Sequence, residues 1–198
     1  MKDRLFSEYI AKSHMGSGLT DSELKTLKEG NIDDMVSTFI RTDSKVYTVQ
    51  IQTALKYIKK LFGDRAVLKN VCRKKSLVND YLACQVMDGD IDALIGIAGN
   101  EKILLKIASV FAGEEFSKFD EDAYDSLCEY VNIISGAFAS RLCDNDIEVA
   151  LHPPVMYCDS GIGSVKEFYV ITIELESDTF CVVMAADNSL KVSKKAAG

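Results

Sequence analysis

Residues 123–143 read AYDSLCEYVNIISGAFASRLC and are followed by DNDIEVALHPP, ending at Pro154. At about 100° per residue, Leu127, Val131, Ile134, Phe138 and Leu142 fall in one narrow arc, which predicts a long helix with a buried stripe. Asp125, Glu129, Asn132 and Gly136 follow at spacings of four, three and four and form a second stripe roughly opposite the first. A carboxylate and an amide are thereby displayed one turn apart on the solvent side. The glycine on the same face would let another protein's backbone approach closely. From Asn132 the helix has about 11 residues left, a rise of about 16 Å, and a strand starting near Ile147 returns about 23 Å in about seven residues. Pro154 is therefore expected level with Glu129 and Asn132, where its missing ladder donor ends or kinks the strand and fixes an irregular rim.

Helices and strands alternate on both sides of this stretch. A periodic helix from Lys45, with Val46, Val49, Ile51, Leu55, Ile58, Leu61 and Phe62 as apolar positions, stops at Gly63-Asp64. Three extended runs follow, Ala66 to Arg73, Tyr81 to Met87 and Ile91 to Gly99, with Asp88-Gly89-Asp90 as a tight-hairpin signal between the last two. A second helix, residues 101–112, stops at Gly113, and a charged linker, Glu114 to Asp122, leads to the long helix. Beyond it come Ile147 to Cys158, broken by Pro153-Pro154, then Phe168 to Leu175 and Phe180 to Ala186. The helix-plus-three-strands unit thus recurs as a repeat of architecture and not of residues. Hairpin-length connections and one-striped helices predict an α+β fold, an antiparallel sheet of about six strands with long helices packed on one face.

The chain divides into a helical extension, residues 1–44, a sheet-and-helix domain, residues 45–188, and a flexible tail, residues 189–198. In the extension a short amphipathic stretch over residues 4–12 is interrupted at Gly16-Ser17-Gly18. Thr20 and Glu23 then form a capping box for a helix ending at Gly30, and Asn31 caps another through Ile40.

Composition excludes several classes. The 198 residues are 47% hydrophobic and 27% charged with only 12 Gly and 2 Pro, a folded chain and not a disordered one. The 23 basic and 30 acidic side chains leave a net charge of −7, which argues against binding nucleic acid. The N-terminus lacks the apolar core of a secretory signal and no run of about 18 apolar residues occurs, so a cytoplasmic location without membrane insertion is expected. Cys72, Cys84, Cys128, Cys143, Cys158 and Cys181 form no CxxC pair and read as reduced small hydrophobes. With only His14 and His152 to join them, no metal site is expected, and a Ser/His/Asp or Cys/His set fails on inventory. Gly161-Ile162-Gly163 reads as a lone loop, not a phosphate or dinucleotide motif.

Asp125-x3-Glu129-x2-Asn132-x21-Pro154 resembles the signature of the CheC, CheX and FliY family of chemotaxis phosphatases: Asp or Ser, three residues, Glu, two residues, Asn, twenty-one residues, Pro. All four positions match, Ile133-Ile134-Ser135-Gly136 resembles the family's continuation, and the element order agrees over residues 45–188. The resemblance implies a CheC-like fold and a phosphatase acting on the phospho-aspartate of a CheY-like response-regulator receiver domain. It makes Glu129 and Asn132 the working residues, with Gly136 and Pro154 in support. In such a reaction the acyl phosphate is already activated and the receiver supplies Mg²⁺ and a lysine, so an attacking water held in line is what is missing. Asn132 would fix that water with a donor and an acceptor, and Glu129 would pair with the receiver's lysine. Asp125 either tunes the site or favours the helix near its N-terminus.

Residues 46–62 hold no Glu-x-x-Asn, so one site per chain is expected, as in CheX and unlike CheC. CheX-type resemblance further implies a homodimer and no cofactor of the chain's own. The alternative is a noncatalytic receiver-binding or flagellar-switch-like scaffold on the same fold.

Overall fold

The computed structural model describes residues 4–14, 18–186 and 191–194; Gly16 and Ser17 of the expected interruption, and the remainder of the expected tail, lie outside the described residues. Helix starts are set by short polar side chains that satisfy otherwise orphaned N–H groups. Thr20 and Glu23 close the capping box of α2 (Asp21–Glu29), behind α1 (Ser7–Ser13). Asn31 Oδ1 accepts from Asp33 N at 2.8 Å to open α3 (Ile32–Phe39). Ser44 caps α4 (Lys45–Phe62) and Asn100 caps α5 (Glu101–Ala112). The long helix, α6 (Glu121–Cys143), begins inside the segment expected to be a charged linker.

The strands depart from the expected three per half. β1 (Ala66–Gly89) joins two expected strands into one of 24 residues. β2 (Ala93–Gly99) and the short β3 (Val149–Leu151) are separate, whereas β4 (Val155–Leu175) runs for 21 residues and includes Gly161-Ile162-Gly163, which is strand and not loop. The polar stretches that read as connections pair with each other, from Ser76 opposite Gly163 to Asn79 opposite Ser160. Their backbone groups are satisfied across the ribbon, which overrides weak strand propensity. Bulges at Leu68/Asn70 and Lys74/Ser76 bend it. β5 (Asp178–Ala186) follows as expected. β6 (Lys191–Lys194), the described part of the expected tail, pairs with residues 160–163 of β4, whose edge would otherwise be open there.

The sheet is antiparallel in the order β3-β1-β2-β5-β4-β6, and because β1 also pairs β4, the strands β1, β2, β5 and β4 close a hydrogen-bonded circuit. Helices cover one face and share one core with it. The other face is not bare, because Leu82, Cys84, Leu94, Phe168, Val170 and Val183 bury a second, smaller cluster with Ile162 of the ribbon.

Residues before 45 add to the main core instead of forming their own. Leu5, Phe6, Ile10, Met35, Val36 and Phe39 are all buried in it, and Leu68 N donates to Leu5 O at 2.7 Å. α3 lies on α4, where Gln52 Nε2 donates to Asp33 O and to Ser37 Oγ, both at 3.1 Å. Arg141 of α6 donates to Gln52 Oε1 at 2.7 Å, tying the three helices together.

Candidate functional site

The expected buried stripe of α6 is buried: Leu127, Val131, Ile134, Phe138 and Leu142 are at most 2% exposed. Asp125, Glu129 and Gly136 are exposed, and Asn132 is half-buried. Asn132 therefore occupies the flank where the helix meets the sheet, not the outermost line of the helix. A Cβ built on Gly136 would meet nothing within 4 Å, so this chain's own packing does not require a glycine there.

What holds Asn132 comes from β1. Gln85 Nε2 donates to His152 O at 2.7 Å and to Asn132 Oδ1 at 2.9 Å. A backbone carbonyl can only accept, so the Gln85 amide nitrogen must face His152. Its other N–H then requires the oxygen of Asn132, and the Asn132 amide nitrogen is left pointing at Glu129, 3.2 Å from Oε2. Sequence reading missed Gln85. The available signal was an amide at an inward-facing strand position between Ala83 and Met87, both of which are fully buried.

His152 lies in the break between β3 and β4, with its N–H on Val86 O at 3.0 Å and its ring Nε2 2.8 Å from Asp88 Oδ2. The connection between β1 and β2 is fastened to the segment before β3 by Asp90 N to Glu148 O at 2.9 Å and Glu148 N to Asp90 Oδ2 at 2.8 Å. Gly89, at φ 147°, makes that approach possible, since a Cβ would stand 2.4 Å from Glu148 O. The end of β1, its turn and β3 thus form a fixed frame leading to Pro154.

Pro154 and Met156 face Tyr124, Asp125, Cys128 and Glu129 across a groove of about 640 Å³. The structure so brings together Asp125, Glu129 and Pro154, with Asn132 joined through Glu129; Gly136 lies one turn further on, outside the groove lining. Burial, reinforced by the Asp125 charge, pushes the Cys128 thiol up to about 11, so it forms a neutral wall and not a nucleophile. Burial also raises the Tyr124 hydroxyl. Neither Asp125 nor Glu129 has a cationic partner among the described residues.

A second cleft, about 540 Å³, lies between the extension and β1, but it holds none of the expected site residues; within it His14 Nε2 lies 3.3 Å from Glu23 and Arg73 pairs with Asp43 at 2.8 Å. Among the described residues no group of three or more His, Cys, Asp or Glu is placed to hold a metal ion, and no helix is long and apolar enough to cross a membrane.

The family model of chemotaxis phosphatase CheX matches residues 81–175, which contain Gln85, the groove and Pro154. A CheC-like superfamily protein from Shewanella sp. PV-4 superposes with a TM-score of 0.61 at 17% identity, over 73% of this chain and 99% of its own. CheX from Desulfovibrio desulfuricans gives 0.61 at 15% identity, over 72% and 99%. The CheX of a CheX–CheY–BeF3–Mg²⁺ complex from Borrelia burgdorferi gives 0.54 at 17% identity, over 72% and 97%. At these identities the superpositions show a shared fold, the CheC-like one. No curated protein sequence matches the chain.

Proposed function

We propose, from the match of residues 81–175 to the family model of chemotaxis phosphatase CheX, that this chain accelerates hydrolysis of the phospho-aspartate of a CheY-like receiver domain. The observation that carries this reading is the Asn132 amide, anchored through its oxygen and presented on an open helix face beside a carboxylate that has no cationic partner among the described residues. The Borrelia burgdorferi CheX found in complex with CheY supports a receiver as the partner.

The chemistry asks little of this chain. Its task is to orient a water toward an acyl phosphate whose charge is neutralised by Mg²⁺ and lysine on the receiver. Asn132 retains one lone pair on Oδ1 and one N–H beyond those held by Gln85 and Glu129. The Asn132–Glu129 contact, at 3.2 Å, lies at the long end of hydrogen bonding and is cheap to exchange. When the receiver's lysine engages Glu129, the N–H of Asn132 held by Glu129 is released toward the water, beside the one already free. Docking thereby completes the water site. Asp125 and Pro154 flank the groove that receives the partner, and Gly136 lets it come close. The reading includes a cytoplasmic homodimer with no cofactor of its own.

The test is phosphate release from phosphorylated receiver domains of the source organism in the presence of Mg²⁺. Asn132→Ala is expected to lower the acceleration about 100-fold or more while the fold persists. Glu129→Lys is expected to raise KM by opposing the receiver's lysine. If the wild-type chain binds these receivers but speeds none of them, the noncatalytic scaffold replaces the phosphatase.

A further inference from the structure

We propose that Gln85 is a positioning residue of this site, holding the Asn132 amide in the one orientation from which it acts; the proposal rests on the role given to Asn132 above. Gln85 is 2% exposed, and Ala83 and Met87, two positions away on the same side of β1, are fully buried apolar residues. An apolar side chain would fill that position without cost, whereas a buried amide must be repaid by hydrogen bonds. Both Gln85 N–H groups are spent, on His152 O at 2.7 Å and on Asn132 Oδ1 at 2.9 Å. Its own oxygen is buried with no hydrogen-bond partner among the described residues. A residue placed for its own satisfaction would not leave that oxygen bare. The position demands two donors aimed in two directions.

A tie between β1 and the break before Pro154 needs only the first donor. The second one selects the state of Asn132. An asparagine amide has two orientations that differ by exchanging oxygen and nitrogen, nearly equal in shape and opposite in polarity. Gln85 admits only the one with oxygen inward, and so directs the amide nitrogen to Glu129 and to the water. The bond to the His152 carbonyl in turn fixes which way the Gln85 amide faces.

No residue of the Asp-x3-Glu-x2-Asn-x21-Pro pattern supplies this function. It comes from a strand 47 positions before Asn132.

Gln85→Met retains volume and removes both donors. With a phosphorylated receiver and Mg²⁺ it is expected to lower kcat about 10- to 100-fold with KM held within about twofold, because Glu129 and Gly136 are untouched. In an Asn132→Ala background the same change is expected to cause no further loss, since it acts only through Asn132. A kcat equal to wild type, or an equal loss in both backgrounds, overturns the proposal.

The two readings fail separately. If Asn132→Ala itself keeps wild-type kcat, the phosphatase assignment falls and Gln85 with it; if Asn132→Ala is inactive and Gln85→Met is not, only the role of Gln85 falls. Should Gln85→Met not fold, side-chain amide relaxation of the wild-type chain decides. An Asn132 NH₂ as rigid as the helix backbone, with an order parameter near about 0.85, supports the clamp, and one below about 0.6 overturns it.

Discussion

Gly136→Ala separates what the fold needs from what docking needs. Gly136 sits inside α6, exposed, and a Cβ there meets nothing within 4 Å. In the isolated chain, alanine relieves the helix of glycine's conformational entropy, a gain of about 0.5–1 kcal/mol. For a chain of this size that raises Tm by about 1–4 °C. If the receiver's backbone packs against this face as proposed, the same methyl group is an intrusion into a close contact, costing about 1–3 kcal/mol. At about 1.4 kcal/mol per tenfold, KM rises about 5- to 150-fold. The signature is a more stable protein that binds worse, with kcat per bound complex largely kept because Asn132 and Gln85 do not move. Scanning calorimetry and steady-state phosphate release on the same preparation measure both halves. A stabilised variant with unchanged KM refutes close approach at Gly136, and a destabilised one refutes the open surface described here.

Three further outcomes are expected. Phe6→Ala, at a fully buried position of the extension, should cost about 3–5 kcal/mol in urea unfolding; a loss under about 1 kcal/mol would show that the extension is dispensable to the core. Gly89→Ala should lower both Tm and kcat, because its Cβ would stand 2.4 Å from Glu148 O and push away the segment that leads to Pro154; unchanged values in both would remove the frame argument. Burial raises the thiols of Cys84 and Cys128 from 9.0 to about 12 and about 11. A raised folded pKa favours the protonated folded state, so this stability is present below pH about 9 and lost as pH climbs toward about 11–12. A Cys84→Ala/Cys128→Ala chain should show a flatter fall of Tm over that window, and parallel curves would contradict the assignment.

The signature helix was legible because its chemistry and its burial use the same period. Five apolar side chains define the inner arc, and this fixes where Asp125, Glu129 and Gly136 must lie. Helix rise and strand length lead back toward Glu129, and Pro154 does line the groove with it, although the strand there, β3, is only three residues long where about seven are expected. The ribbon was illegible for an equally physical reason. Lys74 to Asp80 and the glycines of residues 161–163 carry little strand propensity, and their pairing is decided by a partner about 80–90 residues away. Local sequence cannot report such a partner. Gln85 escaped for a related reason. Its meaning depends on Asn132 and His152, which are brought beside it only by the register of β1 with β2 and β3 and by α6 lying above.

The extension accounts for the asymmetry between the two long helices. α6 keeps one face open, but residues 49–55 of α4 are all buried, an entire helical circumference. α3 provides part of that cover, with Gln52 joined to Asp33 and Ser37. A receiver seeking α4 would have to displace α3 and expose Met35, Val36 and Phe39, each now at most 7% exposed. At about 1.5–3 kcal/mol per side chain the displacement costs about 5–9 kcal/mol. That equals the whole binding energy of a complex with Kd between about 1 mM and 1 μM. Docking of the proposed receiver on α4 would carry this cost even before its lack of a Glu and Asn pair is considered, whereas α6 keeps a face open without it.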